Sequence, residues 1–210
     1  MEFGVDEAGK GPVLGSMFAA AVRAPREALP DGIDDSKELS ERRREVIADQ
    51  LRDDDRISVG VAEISPERID AGNMNDLTVV AHAEVLAEIV EPGDEGLCDA
   101  GDVDAERFAD RVADHLDDSI AVSARHGADA DDELVGAASI IAKSARERHV
   151  DALRETFGNV GSGYPSDPTT RAFLREYVAA NDDLPACART SWSTCADVLA
   201  AAEQSALDDF

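Results

Sequence analysis

The sequence predicts a mixed α/β sheet flanked by helices, and two patterns support this prediction. Apolar residues open the chain, stop at the glycine, lysine and proline of residues 9–12, and resume over Val13–Val22. Two apolar runs around a tight turn are typical of a hairpin of antiparallel strands. From residue 57 onward, short apolar runs alternate with helix-length segments, a pattern that favours parallel pairing. We therefore expect both kinds of pairing in one sheet.

The other elements are predicted from apolar spacing and from residues that start or stop helices. Ser40 is a good N-cap for a helix over Glu41–Arg52, and Pro92 ends a helix over about Asn75–Val90. The third, fourth and fifth strands are expected at Ile57–Ile64, residues 96–99 and Ile120–Ala124. Further helices are expected over about residues 104–116, 134–157 and 168–180, with a last helix after Trp192.

Length and composition predict a single domain in a reducing compartment. The 210 residues are enough for one sizeable core, which we place at residues 1–200 with a helical segment over about 168–200 and a tail over 201–210. The sequence shows no charged-then-apolar leader and no apolar stretch approaching 18 residues, so we expect neither export nor a membrane span. Three irregularly spaced cysteines fit a cytoplasmic location. We also expect a monomer.

The net charge of −26 is the most unusual global property of the chain. A basic footprint is usual for nucleic-acid binding, so this charge taken alone argues against such a partner. The acidic residues are spread through the whole chain, however, and the sequence has only 3 lysines against 17 arginines. Such surfaces are typical of halophilic proteins, because the Debye length falls to about 3 Å in molar salt and self-repulsion is screened. We interpret the acidity as an adaptation to salt, which leaves the substrate open.

Four carboxylates share a position after a predicted strand or before a helix, bordered by small residues: Asp6, Glu7, Asp99 and Asp129. Ligand sites in open α/β sheets gather at such strand ends. Converging carboxylates raise one another's pKa unless cations neutralise them, and oxygen ligands without histidine or cysteine suit Mg²⁺ or Mn²⁺. Two such ions about 3.5–4 Å apart would activate a water and stabilise a leaving oxygen in phosphoryl chemistry. An exposed acidic strand end is the plain alternative.

One geometric difficulty concerns Asp6 and Glu7, because adjacent residues on a regular strand point to opposite faces. We expect the strand to twist out at Gly9, so that both carboxylates reach one site.

Basic and hydroxyl side chains cluster in two further places. Arg42, Arg43 and Arg44 open the first helix, where a solvated helix face is an equal alternative to a binding role. Ser139, Lys143 and Arg146 are spaced three or four residues apart, so one face of the long helix presents a hydroxyl and two cations. Two histidines are expected to be structural, His82 in the middle of a helix and His126 in a loop.

Six short motifs bring the chain close to a known family: Asp6–Pro12, Asp35–Ser40, Ala128–Asp129, Ala137–Lys143, Gly161–Asp167 and Arg189–Trp192. In this order and spacing they resemble ribonuclease HII, the type 2 ribonuclease H, particularly its archaeal form. The resemblance implies a ribonuclease H-like fold, with a mixed five-stranded sheet flanked by helices and a C-terminal helical segment. It also implies an endonuclease that hydrolyses the RNA strand of RNA–DNA hybrids and cuts 5′ of ribonucleotides embedded in duplex DNA, leaving 3′-hydroxyl and 5′-phosphate ends.

The resemblance also implies roles for single residues. Asp6, Glu7, Asp99 and Asp129 match the catalytic carboxylates that bind two ions, Mg²⁺ or Mn²⁺. Gly9, Lys10 and Gly11 match a glycine–arginine–glycine turn whose backbone senses the ribose 2′-hydroxyl, and Tyr164 matches the tyrosine that senses the RNA-to-DNA junction. We add as further substrate-binding residues Ser36, Lys37, Arg43, Ser139, Lys143 and Arg146. Lysine at position 10 departs from the family, since it offers a point charge in place of a planar fork.

The last residues of the chain carry a separate motif. Gln204, Leu207 and Phe210 form a Gln-x-x-Leu-x-x-Phe pattern. It resembles the segment by which replication and repair proteins dock on the sliding clamp, with one terminal aromatic residue in place of two. One helical turn can insert such apolar anchors into a groove. An incidental helix end is the alternative.

Three other functions remain as alternatives at this point. One is a nucleic-acid-binding module without catalysis, against which the presence of all four carboxylates argues. The others are enzymes, a related two-metal DNA nuclease and the type 3 ribonuclease H. The type 3 enzyme normally carries an additional N-terminal substrate-binding domain.

Overall fold

A computed structural model describes residues 1–33 and 39–208 of the chain, with side chains described as far as Gln204. Ser36, Lys37 and Phe210 therefore lie outside the described residues, as does the side chain of Leu207. The chain divides into two compact units. We call them the sheet unit (Met1–Ala8, Met17–Ile64 and Met74–Glu147) and the helical unit (Gly9–Ser16, Ser65–Asn73 and Arg148–Phe210). The predicted boundary at residue 200 stays a prediction.

The sheet unit contains the predicted mixed sheet of five strands. Their bounds are β1 Glu2–Ala8, β2 Met17–Ala24, β3 Ser58–Ile64, β4 Glu95–Asp99 and β5 Ala121–Arg125, in the spatial order β3-β2-β1-β4-β5. β2 pairs antiparallel with β1 and β3, whereas β4 runs parallel to β1 and β5. The predictions of an initial hairpin and of parallel pairing in the second half are confirmed.

The start of β2 was predicted wrongly, at Val13 in place of Met17. Residues 13–16 belong to the helical unit, where the Val13 and Leu14 amides donate to the Gly163 carbonyl oxygen at 2.8 and 3.2 Å. Gly15 adopts a φ of +80°, which takes the backbone out of strand geometry. The apolar run continues through this change of direction, so periodicity alone did not reveal it.

The helices of the sheet unit cover its core. They are α1 Glu41–Asp53, α3 Met74–Ile89, α4 Ala105–Ala113 and the part of α5 Glu133–Phe157 that precedes residue 148. Ser40 caps α1 as predicted, because its hydroxyl accepts from the Arg43 amide at 3.3 Å. Gly4 allows α5 to approach β1 closely, since a Cβ at that position would lie 2.2 Å from the Leu134 carbonyl carbon. The close approach places the first turns of α5 beside β1.

The helical unit packs the rest of α5 with three more helices, α2 Pro66–Ala71, α6 Pro168–Asn181 and α7 Ser193–Asp208. α2 was not predicted, although Ser65 is its N-cap and Pro66 its first residue, a recognisable start signal. The core of this unit contains Leu14, Leu174 and Cys195, each at most 1% exposed. Within the described part of the chain, none of the helices combines the length and the apolar character that a membrane span requires.

Candidate active site

Asp6 and Glu7 lie side by side near the end of β1 and point to different helices. The Glu7 carboxylate meets α3, with Oε2 2.8 Å from His82 Nε2. Asp6 lies beside Ser139 of α5, which lowers its pKa, although Ser139 Oγ has no hydrogen bond of normal geometry to any described residue. β1 pairs regularly with β2 as far as Ala8, and the backbone leaves strand geometry at Gly9, whose φ is +92°. That both carboxylates reach one site stays a prediction.

Asp99 and Asp129 join this end of the sheet from β4 and from the turn after β5. β1 and β4 run parallel, and their last paired residues, Val5 and Cys98, directly precede Asp6 and Asp99. Asp129 lies in a short 3₁₀ turn, Ala128–Ala130. The amide of Ala128 donates to Asp99 Oδ1 at 2.9 Å and so ties that turn to the end of β4.

We call these four side chains (Asp6, Glu7, Asp99 and Asp129) the carboxylate cluster. The pKa shifts within the cluster show that its carboxylates repel one another. Burial, followed by repulsion from Glu7 and Asp99, raises the pKa of Asp6 to about 7. Burial is also the main reason that the pKa of Asp99 is raised, with Asp129 and Glu7 adding to the effect and the Ala128 amide opposing it. At neutral pH the metal-free cluster therefore holds more protons than four independent acids would.

The chemistry of this donor set fits a hard divalent cation. It offers oxygen ligands whose mutual repulsion a cation would relieve. Among the described residues, no three His, Cys, Asp or Glu side chains lie close enough together to hold an ion as they stand. A bound ion would therefore draw the carboxylates together or take further oxygens from a substrate phosphate, as Mg²⁺ sites often do.

His82 contacts the cluster, which goes beyond the structural role that we predicted. Its side chain is fully buried, and its ring meets Phe108 edge-on with centroids 5.1 Å apart. Nε2 contacts Glu7, whereas Nδ1 has no hydrogen-bond partner among the described residues. With Nε2 donating, Nδ1 is left as a bare acceptor, which costs less than a buried N–H donor without a partner. The helical spacing of His82 with Val79 and Leu86, both buried, was the available sequence signal.

The glycine turn after β1 belongs to the helical unit and is held by Arg189, to which the sequence analysis assigned a motif but no role. Gly9 has a φ of +92°, a conformation that favours glycine. The buried guanidinium of Arg189 donates to the carbonyl oxygens of Gly9, Lys10 and Gly15 at 2.6, 2.8 and 2.9 Å. Tyr164 is 41% exposed, and a Cβ at Gly11 would lie 3.5 Å from its Cε1 atom. The structure therefore brings Gly11 and Tyr164 together.

The other predicted substrate-binding residues occupy different environments. Arg43 is exposed on α1, and Lys143 and Arg146 are half-buried on α5. Ser139 is fully buried, so a direct contact with substrate would require a movement of the structure around it. These binding roles stay predictions.

Comparison with known proteins identifies the family. The family model described as Ribonuclease HII matches residues 3–195. The chain belongs to the ribonuclease HII family. It is therefore an enzyme, a hydrolase of the ribonuclease H class. This assignment removes the three alternatives, the binding module without catalysis, the DNA nuclease and the type 3 enzyme.

Individual relatives agree with this assignment along the whole chain. A ribonuclease HII from Natronomonas pharaonis is 66% identical over 207 residues, which cover 99% of this chain and 98% of that protein. The crystal structure of ribonuclease H2 from Pyrococcus horikoshii superposes with a TM-score of 0.89 at 36% identity and covers 97% of this chain and 99% of its own. Ribonuclease HII of Archaeoglobus fulgidus, solved in complex with PCNA, gives 0.83 at 37% identity with full coverage of both chains. The haloarchaeal origin of the first relative agrees with the salt interpretation of the acidic surface.

Proposed function

We propose that the protein hydrolyses the RNA strand of RNA–DNA hybrids and cuts 5′ of ribonucleotides embedded in duplex DNA, leaving 3′-hydroxyl and 5′-phosphate ends. The observation that carries the proposal is the cluster of Asp6, Glu7, Asp99 and Asp129 at the carboxyl ends of β1 and β4. A hydrolase of this class needs a place where a cation and a phosphate can meet, and raised carboxyl pKa values mark such a place. The enzyme would act as a cytoplasmic monomer.

The four carboxylates would hold Mg²⁺ or Mn²⁺, two ions in the active complex. When bound, these ions lower the pKa of a water and stabilise the charge on the leaving oxygen. The protein's own contribution is to position the ligands. His82 holds one oxygen of Glu7 and so fixes the position of that carboxylate. The Ala128 amide holds one oxygen of Asp99, which keeps Asp99 beside the turn that carries Asp129.

The turn at residues 9–11 would select the substrate. At a single nucleotide only the 2′-hydroxyl distinguishes RNA from DNA, and it can both donate and accept a hydrogen bond. Backbone groups of the turn can contact it without the length and flexibility of a side chain. Tyr164, exposed beside Gly11, offers an aromatic face to the sugar or base at the junction. Lys10 would contact a phosphate as a point charge.

The proposal is tested by cleavage of a duplex that contains one ribonucleotide, with Mg²⁺ and with Mn²⁺, over a series of salt concentrations up to molar. We expect cleavage on the 5′ side of the ribonucleotide and none of the all-DNA duplex. Asp129→Asn should abolish cleavage without loss of folding, and Asp110→Asn is the matched control, since it makes the same change at an exposed position of α4. Full activity of the Asp129 variant would contradict the proposed metal role.

The tail would add a protein partner. We propose that Gln204, Leu207 and Phe210 dock on a sliding clamp. The support is the motif itself, together with the relative from Archaeoglobus fulgidus that was solved in complex with PCNA. The test is clamp binding by the full chain and by a chain that lacks residues 204–210. Equal affinity of the two chains would refute the docking role.

A further inference from the structure

Arg189 is a fully buried arginine whose hydrogen bonds go to backbone carbonyls of the glycine turn. Its Nη2 and Nη1 atoms donate to the oxygens of Gly9 and Lys10, and Nε donates to the oxygen of Gly15. The indole of Trp192 lies beneath the guanidinium, with Cζ 5.1 Å from the ring centroid. A planar fork can hold several acceptors in a fixed arrangement, which a lysine cannot do. Arg189 therefore sets the orientation of two successive peptide groups in the turn.

Because the peptide group is planar, the orientation of these carbonyls also sets the direction of the N–H groups on the other side of the turn. In a trans peptide the C=O of one residue and the N–H of the next lie in one plane and point in opposite directions. The carbonyls of Gly9 and Lys10 point to Arg189, so the N–H groups of Lys10 and Gly11 point away from it. Gly11 lies on the exposed side, next to Tyr164. By holding the carbonyl oxygens of Gly9 and Lys10, Arg189 fixes the direction of the N–H groups of Lys10 and Gly11.

A second contact fixes the segment from which Arg189 extends. The two carboxylate oxygens of Asp70, on α2, each accept two hydrogen bonds. Oδ2 accepts from the amide and hydroxyl of Thr190, both at 2.8 Å, and Oδ1 accepts from the amide and hydroxyl of Ser191 at 2.9 and 2.6 Å. Burial opposes the ionisation of Asp70, but these bonds keep its pKa below the usual value. Asp70 is therefore a charged acceptor, which strengthens all four bonds.

We propose that Arg189 and Asp70 are positioning residues for ribose recognition. Asp70 fixes Thr190 and Ser191, Arg189 fixes the carbonyls of the turn, and the turn presents its N–H groups to the 2′-hydroxyl. Neither residue touches the substrate. A turn with a glycine at either end is conformationally free, so without this support its donors would have to be ordered at each binding event. The inference rests on the proposed role of the turn in reading ribose.

Two variants test the proposal by different routes. Arg189→Lys keeps the charge but loses the fork that reaches three carbonyls. Asp70→Asn keeps the shape but turns one accepting oxygen into a donor, so the backbone amide of either Thr190 or Ser191 loses its acceptor. Matched controls are Arg175→Lys on α6 and Asp197→Asn on α7, both at exposed positions of the same unit. Thermal unfolding of all four variants reports on folding.

The measurement is the dissociation constant for two duplexes that differ in one 2′-hydroxyl, with Ca²⁺ in place of the catalytic ion to prevent cleavage. The wild type and both controls should prefer the ribonucleotide duplex. Arg189→Lys should reduce this preference by about tenfold, the equivalent of one or two hydrogen bonds, and change the affinity for the all-DNA duplex by less than about twofold. Asp70→Asn should act in the same direction with a smaller effect.

The ratio of the affinities for the ribonucleotide duplex and the all-DNA duplex distinguishes a positioning role from a purely structural role of Arg189 and Asp70. If both affinities fall together, or if the ratio stays at the wild-type value, the proposal is wrong. If Arg189→Lys does not fold, Asp70→Asn decides alone, and an unchanged ratio in that variant overturns the proposal. A wild-type protein without any preference would instead refute the proposed function of the turn, and this inference with it.

Discussion

Asp94 lies just before β4 and Asp6 lies near the end of β1, and both side chains are buried, at 3% and 6% exposed. At Asp94, the Arg23 guanidinium donates at 2.5 Å, the Met1 amino group lies at 2.5 Å and the Glu91 amide donates at 2.7 Å. Burial opposes ionisation there, but the bonds from Arg23 and the amino group lower the pKa of Asp94 to about 2. Burial and repulsion from Glu7 raise that of Asp6 to about 7.

The comparison shows that burial does not decide what an aspartate does in this sheet. The two carboxyl groups lie at opposite ends of parallel strands and have similar exposure, yet their pKa values move in opposite directions. The difference is the counter-charge, since the protein supplies cations at one end and further carboxylates at the other. A neutralised acid supports the fold, whereas an acid without neutralisation favours the proposal that an ion binds there.

The largest expected effect is a loss of activity when the carboxylate is removed at the Asp6 end of the parallel strands. Asp6→Asn should lower kcat on the ribonucleotide duplex by at least about 10³-fold, because it removes a proposed ligand of the ions, and a bound ion supplies several kcal/mol of transition-state stabilisation. Folding should be retained, as judged by circular dichroism. Asp110→Asn, an exposed change on α4, should keep wild-type kcat. A variant of Asp6 with full activity would remove the distinction between the two ends.

The next largest effect is a loss of stability when the Arg23 partner of Asp94 is removed at the other end. Arg23→Met leaves Asp94 buried without its main partner and should reduce the free energy of unfolding by about 3–5 kcal/mol, measured in urea. Arg26→Met is the control, because Arg26 is 42% exposed in its ion pairs with Glu2 and Asp132, and such pairs are worth about 0–1 kcal/mol. Equal losses in the two variants would show that burial adds nothing to the Arg23 pair.

A smaller effect tests whether His82 orients the Glu7 carboxylate at the Asp6 end of the sheet. His82→Phe keeps an aromatic ring against Phe108 but loses the donor to Glu7, and His82→Gln retains an amide donor. Loss of a group that orients a metal ligand typically costs about 10–100-fold in metal affinity or activity, so we expect this for Phe and a partial recovery for Gln. Calorimetric titration with Mn²⁺ and kcat are the two measurements. If both variants bind Mn²⁺ like the wild type, the contact has no orienting role.

The smallest effect is a difference in pH dependence between the ends. The pKa of Asp6 is higher in the folded chain than its usual 3.8, so without metal its contribution to stability is lost as pH rises from about 4 to 7. The pKa of Asp94 is lower than its usual value, so its contribution is lost as pH falls from about 4 to 2.

Urea unfolding in EDTA over this pH range measures both slopes. Asp6→Asn should reduce the loss between pH 4 and 7 to the part that the raised pKa of Asp99 contributes, and should leave the acid limb in place. Addition of Mg²⁺ at pH 8 should stabilise the wild type more than this variant. If the variant keeps the wild-type slope above pH 4, the raised pKa has been assigned to the wrong residue.

Much of the fold was predictable because its signals are local. The five strands and the α1 cap follow from apolar spacing and from Ser40, which act within a few residues. The predicted start of β2 was wrong because an apolar run passes from one unit into the other without a change in composition. α2 was missed although Ser65 and Pro66 announce it, since a helix of six residues has too little periodicity to stand out.

The sequence by itself led to the prediction that the acids at the strand ends, the glycine turn and Tyr164 carry the chemistry, because these are short motifs. Tertiary structure decided which charges are neutralised and which groups are held in place. Arg23 meets Asp94 from 71 positions away, His82 meets Glu7 from 75, and Arg189 meets Gly9 from 180. Desolvation and Coulomb interaction depend on distance in space, which local patterns do not contain.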